Sequence, residues 1–170
     1  MANALQLALV ASLTGYFRGA NDVANPQQDF SLHERVSLTT GTTANKADQV
    51  FSDSRTIAAS GSESLDLAGS LTNAFGESVT FAEVVAIVVV ADAGNTNDVV
   101  VGGASENAFA APFGDASDKV KVKPGGFLVL AAPGDPAYAV TAGTGDLLQI
   151  ANSSSGSAVG YDIVILGRSA

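Results

Sequence analysis

Val84-Val85-Ala86-Ile87-Val88-Val89-Val90-Ala91 limits this chain more than any other stretch. Branched Cβ atoms stiffen χ1 and suit a pleated surface. Eight consecutive apolar residues, mostly β-branched and closed by Asp92-Ala93-Gly94-Asn95, therefore predict a strand buried on both faces. The run is too short to cross a bilayer, which takes about 20 apolar residues as a helix. Such a strand needs two apolar layers around it, so the other segments read as the material that covers it. After the turn Gly94-Asn95-Thr96-Asn97, the residues Asp98-Val99-Val100-Val101 predict its antiparallel neighbour in the clearest hairpin of the chain.

Phe127-Leu128-Val129-Leu130-Ala131, between the turns Pro124-Gly125-Gly126 and Pro133-Gly134-Asp135-Pro136, reads as a second buried strand. Lys119-Val120-Lys121-Val122-Lys123 alternates with period two, valines inward and lysines outward. Phe30, Leu32, Val36 and Leu38 share one parity and predict a strand over 31–40. Over 50–57, Phe51, Asp53, Arg55 and Ile57 fall on one side, with Asp53 and Arg55 spaced to pair at a strand face. Shorter strands follow over 64–68, 138–142, 147–151 and 159–166, while 105–117 reads as a loop anchored by Phe109 and Phe113. No segment carries a 3.6-residue period. The expected fold class is all-β, an antiparallel β-sandwich or jelly roll with an N-terminal extended arm.

The arm rests on Leu5, Leu7 and Leu9, which alternate with Gln6 and Ala8 as in a strand with one buried face; a helix over 4–13 is the competing reading. Residues 21–29, with Asn25-Pro26 and two glutamines, read as an exposed connector. The chain thus divides into an arm or edge strand over 1–25 and a sandwich domain over 26–170. No Lys or Arg occurs over 1–13, so Leu5-Gln6-Leu7-Ala8-Leu9-Val10-Ala11 does not read as a secretory signal.

A chain of 170 residues fits one domain with a real core. Hydrophobic residues at 46% and charged residues at 15% argue against general disorder. So little charge also leaves surface suited to contact with other chains. A net charge of −9 disfavours nucleic acid, whose binding needs clustered Lys and Arg. Cys is absent, which removes disulfides and thiolate metal sites.

Catalytic chemistry finds little to stand on. The only histidine, His33, lies between Leu32 and Glu34 on a predicted strand, and no Gly-x-Ser-x-Gly elbow occurs. Gly102-Gly103 and Gly143-Thr144-Gly145 lack the lysine and following helix of a phosphate loop. Asp92 to Asp98 and Asp115 to Asp118 space oxygen ligands closely, without the EF-hand order for calcium. No carboxylate pair stands out for glycoside hydrolysis. The reading is of a non-enzyme with no catalytic, cofactor-binding or metal-binding residues. Its candidate partner contacts are Leu5, Leu7 and Leu9 on the arm and the stripe Lys119, Lys121, Lys123. That stripe reads either as a dock for an acidic partner or as a solvated face guarding an edge strand.

Asp48-Gln49-Val50-Phe51-Ser52-Asp53-Ser54-Arg55 within 44–56, the stretch 64–76, Asn107-Ala108-Phe109-Ala110-Ala111-Pro112-Phe113-Gly114-Asp115, Pro124-Gly125-Gly126, the stretch 142–148 and Tyr161-Asp162-Ile163-Val164-Ile165 resemble small structural proteins of tailed-phage head modules. The likeness spans 44–167 and is nearest to the cement, or decoration, proteins of icosahedral heads. It implies a β-sandwich or jelly-roll homo-oligomer, often a trimer. As partners it implies the major capsid protein and further copies of the chain, with no nucleic acid and no membrane. It places the protein on the outer capsid surface of the virion, after assembly in the host cytoplasm, and brings no catalytic residues. A tail or head-fibre component and a carbohydrate-binding sandwich are the alternative readings.

Overall fold

The valine run is a strand with a neighbour on each edge, as its composition requires. It is the eighth of fourteen strands in the computed structural model, which describes residues 4–69 and 71–170; no helix occurs among the described residues. Residues 1–3 of the predicted arm, and Ser70, lie outside them. β1 (Gln6–Arg18), β2 (Gln27–Thr40) and β3 (Lys46–Ala47) form a ribbon in which β3 joins β2 in parallel. β4 (Gln49–Ile57), β8 (Glu83–Ala91), β11 (Phe127–Ala131) and β14 (Val159–Arg168) make one sheet in the order β11-β8-β14-β4, with β12 (Tyr138–Ala139) also on β8. β5 (Ser62–Asp66), β9 (Val99–Gly102), β10 (Lys119–Val122) and β13 (Leu147–Asn152) make a second in the order β10-β9-β13-β5. β6 (Leu71–Thr72) and β7 (Ser78–Val79) form a small hairpin apart from both. The fold is an all-β sandwich of antiparallel sheets.

One core fills the sandwich. Ile87 and Val89 of β8, Ile163 and Ile165 of β14 and Phe51 of β4 meet Leu65, Val101, Leu148 and Ile150 of the second sheet, with Phe81 and Phe109 in the same cluster. Each fully buried aliphatic side chain contributes roughly 1.5–3 kcal/mol. Opposite the core, Val85, Ala86 and Leu166 form a smaller cluster with Leu38 of β2. A bulge serves both layers. Leu166 stands opposite Ala86 and Gly167 opposite Val84, so Val85 is left without a partner and the side-chain parity of β8 flips. Val84 thereby joins Ile87 in the core while Val85 faces outward. Gly167 is required there, because a Cβ would run into the Glu83 carbonyl and the Phe81 ring.

The predicted hairpin of the valine strands does not form. β8 and β9 lie in different sheets, and 92–98 crosses from one to the other. Asn95 donates its side-chain N–H to the Gly160 carbonyl at 2.8 Å and accepts the Gly160 N–H at 2.8 Å. Asn97 donates to Asn152 Oδ1 at 2.9 Å and to the Ser157 carbonyl at 3.0 Å. These asparagines fasten a crossing rather than turn a tight hairpin. Placing β9 in the opposite layer buries both valine strands against each other's sheet, which side-by-side pairing would not do.

Three smaller expectations also change. β11 is an edge strand, with Leu128 and Leu130 packed on the core and Phe127 73% exposed. The segment 138–142 shortens to Tyr138–Ala139. The connector over 21–29 is the tip of a hairpin, because β2 begins at Gln27 and pairs with β1 along its whole length. The projecting element is consequently two strands, and the division at 25/26 falls within its tip.

Arg168 fixes the root of this ribbon to the sandwich. Its side chain is fully buried at the end of β14 and pairs from Nη1 with Glu83 Oε2 at 2.7 Å. It also donates to the carbonyls of Lys46 at 3.2 Å, Pro133 at 3.1 Å and Gly134 at 2.7 Å. A guanidinium out of water needs such a full set of acceptors.

Candidate interaction surface

β1 and β2 pair through thirteen consecutive residues, from Gln6 opposite Thr39 to Arg18 opposite Gln27, without a bulge. At roughly 3.4 Å per residue such a ribbon is about 44 Å long. Its tip is tied off locally: the Asn21 side chain accepts the N–H groups of Val23 and Ala24, and Gly19 N–H donates to the Pro26 carbonyl at 2.9 Å.

Directly opposed residues share a face, so the register sorts the ribbon into two. One face pairs Leu7 with Leu38, Leu9 with Val36, Ala11 with Glu34, Leu13 with Leu32, Gly15 with Phe30 and Phe17 with Gln28. The other is mostly polar and includes Ser12 opposite His33, Thr14 opposite Ser31 and Tyr16 opposite Asp29. At its root the apolar face lies on the first sheet, where Leu5, Leu7, Leu9 and Val36 pack against the cluster of Val85, Ala86, Leu166 and Leu38. Beyond that point, every residue over 10–35 except Gly19 is exposed. The apolar face continues into water, with Leu13 63%, Leu32 61% and Phe17 71% exposed.

The sheet under the ribbon's root is also only partly covered. Across its outer face run three rows: Ala131, Ala86, Leu166 and Val50; then Val129, Val88, Val164 and Ser52; then Phe127, Val90, Asp162 and Ser54. The ribbon packs over Ala86, Leu166 and Val50 of the first row and reaches Val164 in the second, while Ala131 is exposed. Val129, Val90 and Phe127 stay open. The outer face therefore carries an apolar patch whose one charged member, Asp162, accepts a hydrogen bond from Ser54 Oγ.

The partner-contact residues read from the sequence divide accordingly. Leu5, Leu7 and Leu9 are half-buried on the protein's own sheet and act as the root of the arm. Lys119 and Lys121 are exposed on the edge strand β10, and Lys123, just past it, pairs with Asp98 at 2.9 Å. A lysine stripe along a sheet edge discourages edge-to-edge pairing. Leu13, Leu32, Phe30 and Phe17 were legible as the continuation of the same period-two pattern, which Glu34 and Gly15 interrupt. Phe127 carried no such signal, because an edge strand and a central strand can share one apolar run.

The Asp53–Arg55 pair forms at 3.0 Å and belongs to a larger polar tie between the sheets. Arg55 also pairs with Glu63 of β5, and Tyr161 donates its hydroxyl to Glu63 Oε1 at 2.8 Å. Burial pushes the Tyr161 phenol far above its usual range, and Glu63 adds to the shift. Burial alone would lower the Arg55 pKa, but the hydrogen bond and charge of Glu63 raise it beyond its ordinary value. These groups satisfy one another, an arrangement that stiffens the sandwich. Asp115 caps a turn, its Oδ1 accepting from the Ser117 N–H and hydroxyl, which hold its carboxyl below the usual range. Among the described residues no three of His, Cys, Asp or Glu converge to hold a metal ion, and His33 stands exposed on the polar face of the arm. No described helix is long and apolar enough to cross a membrane.

Compared with known proteins, the chain matches no family model, and no curated protein or solved structure is significantly similar to it.

Proposed function

We propose that this protein is a structural component of a tailed-phage head that binds the outer capsid surface, cements neighbouring major capsid subunits and stabilises the head against internal DNA pressure. One observation carries the reading: a ribbon about 44 Å long that turns a leucine and phenylalanine face into water. An apolar face of that length on two strands is marginal alone in water, and contact with a second surface would bury it. Three further features support the proposal. The eight long strands after the ribbon, taken in chain order, pair as first-eighth-third-sixth and second-seventh-fourth-fifth, the order of a jelly roll, which is common among capsid proteins. A net charge of −9 suits an outer face that does not hold the packaged nucleic acid. The resemblance of 44–167 to head cement proteins points the same way. In this reading each protomer contributes modest apolar contacts, and many copies on one shell act together through avidity.

The test is reconstitution on particles whose shell lacks the protein. The full chain should bind at a copy number approaching that of the major capsid protein. A variant whose ribbon is closed by an Asn-Gly turn after the Leu9–Val36 pair should bind far more weakly. Absence from the shell, or the low copy number of a tail or fibre part, would overturn the proposal.

A further inference from the structure

We infer that the projecting half of the ribbon docks on the open outer sheet face of a second copy of this chain, Leu13, Leu32, Phe30 and Phe17 of one protomer covering Val88, Val90, Phe127 and Val129 of the next. The inference concerns contact between copies and stands whether or not the protein sits on a capsid.

Three observations converge on a second copy as the occupant. The first is continuity: the same face of the same ribbon already packs on the same face of the same sheet, through Leu7, Leu9, Val36 and Leu38 against Val85, Ala86 and Leu166. The open contact extends that packing by further rows on both sides. The second is geometry. Thirteen in-register pairs with no bulge make a continuous ribbon that has no device for folding back over its own sheet. From Val10 to Arg18 it extends about 30 Å at roughly 3.4 Å per residue, enough to reach a neighbour. The third is chemistry. In a chain of net charge −9 these two surfaces are nearly free of charge, with Glu34 at the root of one and Asp162 at the corner of the other. Gly15 opposite Phe30 leaves open space beside it, so an incoming sheet meets no bulk there.

Each copy thus supplies one donor ribbon and one acceptor face. The contact is heterologous, and it builds a ring where the rotation closes and a chain where it does not. Because the apolar surfaces attract while the net charges repel, added salt should strengthen the association by screening; a contact driven by the lysine stripe would weaken instead.

Sedimentation of three proteins tests the inference: the native chain, a ribbon variant (Leu13→Glu with Leu32→Glu) and a face variant (Phe127→Glu with Val129→Glu). The native chain should be oligomeric, and each variant should lose self-association while keeping its β-sheet circular dichroism. An equimolar mixture of the variants should regain a one-to-one complex, because one retains the face and the other the ribbon. Should the face variant unfold, Leu32→Cys and Val129→Cys copies provide the same test: in a chain without cysteine, their mixture should give a disulfide-linked dimer joining the two. A monomeric native chain, a face variant that associates as the native chain does, a mixture that stays monomeric, or cross-links only between two Leu32→Cys copies would each overturn the inference; the last would assign the ribbon to another ribbon. Capsid binding that persists in a monomeric native chain would sink this contact and leave the proposed function standing.

Discussion

Ile163 in β14 and Leu13 in β1 occupy long antiparallel strands of alternating pattern, yet the first is 1% exposed and the second 63%. The difference lies in what stands across from them. β14 has β8 and β4 as neighbours and a second sheet facing it, so Ile163 enters a core shared with Val101, Leu148 and Ile150. β1 has a single partner and, past Leu9, no second layer. Alternation thus specifies which side chains point together, and burial depends on an opposing surface that the strand does not carry. In the projecting half of the ribbon no such surface stands opposite.

The two regions meet at Arg168, and the largest predicted effect is there. Arg168→Ala strands Glu83 and removes the donor from three carbonyls, one of them in β3 at the ribbon's root. The expected loss is about 3–5 kcal/mol of unfolding free energy in a denaturant titration; a loss within experimental error would mean that the two regions are joined by something else. Next comes a direct contrast. Ile163→Ala should cost about 2–5 kcal/mol, whereas Leu13→Ala, measured in dilute protein, should stay within about 0.5 kcal/mol. Equal costs would break the distinction between a filled layer and an open one. The smallest effect sharpens the sandwich side through pH. The Tyr161 phenol is raised above its ordinary value of 10.0, by burial and then by Glu63. The unfolded chain therefore ionises at that residue before the folded one does. Its contribution is intact below pH about 10 and declines as pH rises beyond it. Tyr161→Phe should cost about 1 kcal/mol near neutral pH by removing the bond to Glu63, and should flatten the alkaline decline. An unchanged alkaline slope would mean that another group governs it.

Much of this was legible residue by residue. The alternation of Lys119-Val120-Lys121-Val122-Lys123, the Asp53–Arg55 pair and the aromatic anchor Phe109 appear as read, because each depends on neighbours within a few positions. Val120 is a partial exception, since it sits at the exposed end of an edge strand. The run 84–91 forms its strand, but it is not buried on both faces throughout, since Val88 is half-buried and Val90 exposed on the outer side. The candidate contact surface was half legible: Leu5, Leu7 and Leu9 mark the ribbon's apolar face, but the part of that face left open starts past them. The crossing at 92–98 could not be read, since asparagine and glycine serve a tight turn and a sheet-to-sheet link equally well.

By itself the sequence determined an all-β chain, the apolar parity of the alternating strands, the positions of most turns and an acidic net charge. Tertiary structure alone decided that the two valine strands belong to opposite layers, that a bulge at Val85 turns one strand toward two clusters, and that the ribbon and the outer sheet face each keep an uncovered apolar half. The reason is physical: side-chain parity repeats every two residues and is fixed locally. Which strands pair is settled by the total apolar area removed from water, and closing a longer loop adds so little entropy cost that sequence distance barely constrains the choice.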